Sequence, residues 1–240
     1  MTKYKDIDLV LVDFDDTLVD TAPRFERARR MLFERMVELG FDRERVEHVH
    51  HHEVDPGLRE KYGLGPQRMA PAFAETYRAL CRHAAIEPDA DVLHAVRRFG
   101  ADVAGTPPAI DGAIDALERL AAALPTVVYT QASDTGYQIG CLRDAGAVGA
   151  VGEDRVWIVP LKTAAVLRET LDRFGVTDPA RAWMVGNSIR SDINPALEVG
   201  AQAMLVEVDE PWQHDVVEPL HNGFPRVRTF RNAVALLLEG

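Results

Sequence analysis

The chain has 240 residues, a formal net charge of −11 at pH 7 and an apolar share of 47%, enough for one large domain or a core with a smaller second unit. The acidic balance disfavours nucleic acid and anionic membranes as partners. No apolar run approaches the roughly 20 residues needed to span a bilayer.

The N-terminal apolar run before Asp13 is too short for a signal peptide, and Cys81 and Cys141 make no disulfide framework. A cytoplasmic location is expected. Lysine occurs only at Lys3, Lys5, Lys61 and Lys162; the other 23 of the 27 cationic side chains are arginine.

The first predicted element, Leu9-Val10-Leu11-Val12, reads as a strand buried on both faces of a parallel sheet. It runs into Asp13-Phe14-Asp15-Asp16-Thr17-Leu18, with three aspartates in four positions. Turn chemistry favours aspartate, but a turn does not need acids spaced i, i+2 directly off a buried strand. Such packed like charges call for a cation among them, most simply a hard divalent ion bound by oxygen.

Residues 21–105 carry helical periods. One runs from Ala22 to Leu39 and is ended by Gly40, a second from Met69 to Ala84, and a third follows Val92, Leu93, Val96 and Phe99. No strand is predicted there, so the block reads as a helical insert. After Thr106-Pro107-Pro108 helix and strand alternate. Strands are expected at Thr126-Val127-Val128-Tyr129, Val156-Trp157-Ile158-Val159, Ala182-Trp183-Met184-Val185, Ala203-Met204-Leu205-Val206 and from Val227 to Phe230. A closing helix is expected from Asn232 to Leu238. This alternation argues for an α/β fold, a doubly wound (Rossmann-like) parallel sheet with helices on both faces.

Candidate residues fall at the ends of predicted strands. Asp13 and Asp15 follow the first, Thr130 ends the second, Lys162 follows the third, and Asn187 and Asp192 follow the fourth. In an open parallel sheet these ends converge on the ligand-binding edge, where carboxylates, a hydroxyl and an amine suit phosphoryl transfer.

On these residues the sequence resembles the haloacid dehalogenase superfamily, phosphatase branch. Asp13-Phe14-Asp15-Asp16-Thr17 matches its DxDxT motif, Tyr129-Thr130 its second, Lys162 its third, and Gly186-Asn187-Ser188-Ile189-Arg190-Ser191-Asp192 its GDxxxxD, with Asn187 in place of the usual aspartate. The resemblance implies a catalytic core over 1–20 and 106–240 and a helical cap over 21–105 that closes over the site. It implies a Mg²⁺-dependent phosphatase acting on a small phosphorylated metabolite. Asp13 would be the nucleophile, Asp15 the general acid and base, and Thr130 and Lys162 the phosphoryl contacts. Asp13, the Asp15 carbonyl, Asp192 and Asn187 would hold the metal, Asn187 directly or through a metal-bound water. Asn187 could instead mark a catalytically silent binding protein. Dehalogenases and phosphonate hydrolases of the superfamily lack an acid at the position of Asp15.

Other residues carry weaker expectations. His48, His50, His51 and His52 could suggest zinc, with Glu53 or Asp55 as further ligands, but a polar helix face is the preferred reading. Arg24 and Arg27 read as solvated helix arginines that could also reach a substrate, and Lys61 as a solvated helix residue. Cys141, Trp157 and Trp183 read as core.

Overall fold

The computed structural model describes residues 6–209 and 217–239; Lys3 and Lys5 lie outside them. The chain forms two compact units, Met1–Thr21 with Thr106–Gly240, and Ala22–Gly105.

The chain begins with β1 (Leu9–Val12) and then enters the helices α1 (Ala22–Glu38), α2 (Arg43–His48), α3 (Asp55–Tyr62), α4 (Met69–Ala84) and α5 (Ala90–Ala101). It returns through α6 (Ala113–Ala123) to β2 (Thr126–Gln131), α7 (Thr135–Asp144), α8 (Ala147–Val151), β3 (Val156–Val159) and α9 (Ala164–Arg173). It closes with β4 (Ala182–Gly186), α10 (Asn194–Val199), β5 (Gln202–Val206), β6 (Arg226–Val227) and α11 (Phe230–Glu239).

Among the described residues, six strands form one sheet in the order β3-β2-β1-β4-β5-β6, and every pairing is parallel. The order reverses between β1 and β4, so the crevice outside their carboxyl ends is the switch point where such sheets bind ligands. Because side chains alternate along a strand, β1 serves two cores. Val10 and Val12 pack with Val128, Val185, Leu117 and Val234 on one face. Leu9 and Leu11 pack with Val127, Met184, Leu167 and Leu171 on the other. Hence β1 has no polar position, and the sequence turns acidic only where the strand leaves the sheet.

Two expectations change at the sheet's margins. The last strand is Arg226–Val227 alone, because Phe230 already opens α11 and is buried in the core. Trp157 is only half-buried: β3 is an edge strand, and the Arg173 guanidinium stacks 4.0 Å from its ring centroid. Trp183, on a central strand, is buried as expected, as is Cys141.

The helical unit has its own core, in which Leu32, Met36, Phe73, Leu80, Val96 and Val103 pack together. Gly100 lets α5 approach α4, since a Cβ there would lie 2.4 Å from the Ala70 amide nitrogen. Arg24 is not a freely solvated arginine; its guanidinium donates to the carbonyls of Val103 and Gly105 within this unit. Arg27 and Lys61 are exposed, and Lys61 sits 4.9 Å from the Tyr62 ring centroid.

The histidine run is not a uniform polar face. Residues Val49–Val54 form a π-helical stretch that turns His50 inward while His48, His51 and His52 stay exposed. The His50 ring lies among Phe33, His51 and Phe73. The Thr76 hydroxyl donates to Ala72 O (2.9 Å), so it accepts from His50 Nδ1 (3.0 Å), which fixes the Nδ1–H tautomer. Glu53 faces Arg45, His48 and His83, and Asp55 pairs with Arg59 and Arg68, so arginines supply the positive charge a zinc ion would bring. Among the described residues, no group of three His, Cys, Asp or Glu is arranged to hold a metal, and no helix is long and apolar enough to cross a membrane.

Gly100→Ala should destabilise the helical unit by about 1–3 kcal/mol through overpacking. Gly57→Ala, in open space on α3, should stabilise it by about 0.5–1 kcal/mol. Urea unfolding of both variants checks the opposite signs.

Burial lowers the His50 pKa to about 3, helped by His51 and opposed by Asp55, with Arg29 and Arg68 adding to the lowering. The unfolded chain therefore binds the proton first. His50's contribution is full above about pH 6.5 and is lost as pH falls toward 3. Between pH 7 and pH 5 the wild type should lose about 2 kcal/mol more than His50→Gln; parallel urea-unfolding slopes would contradict this.

Candidate active site at the carboxyl ends of the sheet

Asp13 follows β1 directly, and its N–H continues the ladder to Val185 O (2.9 Å). The chain then makes a tight turn. Asp16 takes φ +58°, its N–H donates to Val19 O (2.8 Å), and its carboxylate accepts from the Thr21 N–H (2.9 Å). This turn raises Asp15 beside Asp13 and leaves Asp15 half-buried.

β2 ends at Thr130 and Gln131. The Gln131 side chain accepts from the Lys162 N–H (2.9 Å), tying the loop after β3 to the sheet. Thr163 then caps α9 through the Val166 N–H (3.2 Å). After β4, Ser188 caps the π-helical turn Ile189–Ile193, and Asp192 Oδ2 accepts from the Ser188 N–H (3.0 Å). Gly186 makes room for this, since a Cβ there would lie 2.3 Å from Asp192 Oδ2.

Lys162 joins the pieces. Its ammonium donates to Asp13 Oδ1 and to Asp192 Oδ1 (2.7 Å), with all three side chains buried. The Tyr129 ring centroid lies 5.3 Å from Nζ. Burial works against the lysine's charge, but Asp13 and then Asp192 outweigh it and hold its pKa above the ordinary range. Burial, with Asp192 next, pushes the Asp13 carboxyl well above the usual carboxylate range, against the pull of Lys162. One ammonium cannot balance Asp13, Asp192 and the nearby Asp15, so the site carries excess negative charge.

The oxygen set beside that charge fits a small hard cation. The Asn187 side-chain amide faces Asp13 Oδ2 and Asp15 O. With its nitrogen turned inward it donates to each at 3.1 Å, and with its oxygen inward it accepts from Thr17 Oγ1 at 3.3 Å. With its oxygen inward, Asn187 adds a third oxygen beside Asp13 Oδ2 and Asp15 O. Asp192 lies adjacent; its oxygens accept from Lys162 and Ser188, and a carboxylate has about four acceptor sites.

Asp15 has two neutral donors. Thr21 Oγ1 donates to Oδ1 (2.6 Å) and Gln138 Nε2 to Oδ2 (2.7 Å). Gln138 Nε2 also donates to Thr130 Oγ1 (3.0 Å). The six residues predicted from sequence thus fall into two adjoining hydrogen-bonded sets: Asp13 with Lys162, Asp192 and, through Thr17, Asn187, and Asp15 with Thr130 through Gln138. The Asn187 amide bridges them at Asp15 O when its nitrogen is turned inward. The sequence reading missed Gln138, Thr21 and Gln131. Gln138 had a usable signal: it is a polar residue sharing the buried face of α7 with Cys141 and Leu142.

The fold is thus a doubly wound parallel α/β sheet that gathers carboxylates and a lysine at its switch point. The comparisons make this specific: residues 7–200 match the family model for haloacid dehalogenase-like hydrolases, and the chain belongs to that family. No curated protein matches the sequence. Among solved structures, a haloacid dehalogenase-like family hydrolase from Xanthomonas campestris is similar at 22% identity and TM-score 0.74, over 97% of this chain and 92% of that one. The putative hydrolase YfnB from Bacillus subtilis, solved with magnesium, is similar at 19% identity and TM-score 0.61, over 98% and 100%. L-2-haloacid dehalogenase from Xanthobacter autotrophicus is similar at 15% identity and TM-score 0.55, over 96% and 98%. At these identities the likeness speaks for the fold.

Gly186→Ala should displace Asp192 from Lys162 and the Ser188 N–H and cost about 1–3 kcal/mol. In an Asp192→Ala background the same change should cost much less. A double-mutant cycle by urea unfolding reads this non-additivity.

Proposed function

We propose that the protein is a Mg²⁺-dependent hydrolase of small phosphate monoesters. A carboxylate oxygen of Asp13 attacks phosphorus; the new P–O bond forms as the ester P–O bond breaks, giving an aspartyl phosphate. Asp15 gives its proton to the leaving alkoxide. It then takes a proton from the water whose oxygen attacks phosphorus and releases Asp13. Thr130 donates to a phosphoryl oxygen, and Lys162 orients Asp13 and offsets phosphoryl charge. Asp13, the Asp15 carbonyl, Asp192 and Asn187 would hold Mg²⁺, which supplies neutralisation of the phosphoryl oxygens when bound.

The observation that carries this reading is Asp15: a half-buried carboxylate two residues from Asp13, steadied on both oxygens by Thr21 and Gln138. Chemistry at carbon, as in haloacid dehalogenation, has no use for an acid there. The excess negative charge around Lys162 supports a metal dication, which would also let an acidic protein bind an anionic substrate. Cys81 and Cys141 are both buried thiols, in keeping with the reducing, Mg²⁺-containing cytoplasm we propose as its setting.

The test is phosphate release from a panel of small phosphate esters with Mg²⁺ and with EDTA, run beside halide release from chloropropionate. Turnover of at least one ester is expected, abolished by EDTA and reduced roughly a thousandfold or more in Asp13→Asn. Halide release would instead make the protein a dehalogenase. Phosphate binding without turnover of any ester would make it a silent binding protein, the alternative that Asn187 raises.

A further inference from the structure

Gln138 stands between two residues of the proposed chemistry, and neither the family motifs nor the comparisons assign it. It is 6% exposed and lies one turn into α7, whose N-terminus is capped by the Asp134 side chain accepting from the Tyr137 N–H (2.9 Å). Cys141 and Leu142 anchor the same helix face in the core. The amide is therefore carried on a rigid element.

The hydrogen-bond pattern sets its orientation. The Gln138 amide nitrogen faces Asp15 Oδ2 at 2.7 Å and donates to it, a bond this oxygen can accept whether or not the carboxyl carries a proton. Its second proton goes to Thr130 Oγ1, at 3.0 Å. Two consequences follow from one amide. Asp15, held from the other side by Thr21 Oγ1, keeps one position through both of its proton transfers. Thr130, already accepting from Gln138, has its own hydroxyl proton left to donate, the polarity a phosphoryl oxygen requires. A leucine would fill the same volume and supply neither donor, so packing alone does not explain a buried amide here.

We infer that Gln138 is a positioning residue, which aims Asp15 at the leaving-group oxygen and fixes Thr130 as a hydrogen-bond donor to the transferred phosphoryl group. The inference rests on the phosphatase reading above and deepens it. Asp15 matters to the first chemical step only when the leaving alkoxide needs a proton. Loss of Gln138 should therefore be felt according to the leaving group, which a purely structural residue would not produce.

The experiment measures kcat/KM for Gln138→Leu on two probes, glycerol phosphate and p-nitrophenyl phosphate. This parameter reports steps only as far as the aspartyl phosphate. Nitrophenolate leaves without a proton, whereas the glycerol alkoxide does not. Positioned general acids contribute about 10²–10⁴-fold, so we expect a fall of about a hundredfold on glycerol phosphate and less than about tenfold on p-nitrophenyl phosphate. The smaller fall reflects Thr130 alone. Gln138→Glu keeps the side-chain length but, when ionised, cannot donate; it should show the same selective loss and stands in if Gln138→Leu does not fold. Equal falls on both esters in a folded variant, or no fall on either, would overturn the inference while leaving the phosphatase reading intact. A wild-type protein that hydrolyses neither ester nor any other phosphate ester would overturn both.

Discussion

The site depends on one buried ammonium shared by two buried carboxylates. Lys162 comes from the loop after β3, Asp13 from the end of β1 and Asp192 from the turn after β4. Taking such charges out of water is costly, and it is offset only where geometry is good and the remaining lone pairs are satisfied. The surroundings supply this. Gln131 fixes the Lys162 backbone, the Ser188 N–H holds the far oxygen of Asp192, and Gly186 leaves space for that oxygen. The two halves of a doubly wound sheet are thereby pinned together at its switch point, where ligands bind in such folds.

The same interaction leaves a deficit that gives the site its character. Three carboxylates against one lysine is an arrangement stable only with additional positive charge or a shifted proton, and burial, with the Asp192 charge next, raises the Asp13 pKa in that direction. Asn187, where related motifs carry aspartate, reduces the deficit by one charge while keeping an oxygen that can turn toward Asp13 and Asp15 or away from them. A neutral residue here makes the pocket less dependent on a cation for its own integrity than an aspartate would.

The helical unit solves its polar problems internally. Asp55 is matched by Arg59 and Arg68, Arg24 caps the carbonyls of Val103 and Gly105, and His50 is held neutral by burial while Thr76 accepts its Nδ1–H. Its histidine-rich run follows the π-helical turn of Val49–Val54, which rotates one histidine into the core while its neighbours face water. A helical wheel drawn at the ordinary α period places these side chains wrongly for that reason.

The sequence by itself determined the layered α/β architecture. Buried parallel strands must be apolar on both faces, so β1 reads as an unbroken apolar run, β2 and β4 as runs dominated by apolar residues, and acids appear only where those runs end. By the same logic it marked Asp13, Asp15, Thr130, Lys162, Asn187 and Asp192, each at or just past a strand end. It did not determine which donors complete them. Gln138 reaches Asp15 from 123 positions away, and Thr21 and Gln131 read as ordinary polar residues until the fold supplies their partners. The edge exposure of Trp157 and the two-residue length of β6 were likewise decided by sheet order, and the burial of His50 by local helix geometry. Strand periodicity and the residue types at strand ends are local properties of the chain. A hydrogen bond between distant side chains is a property of the coordinates, and only tertiary packing sets it.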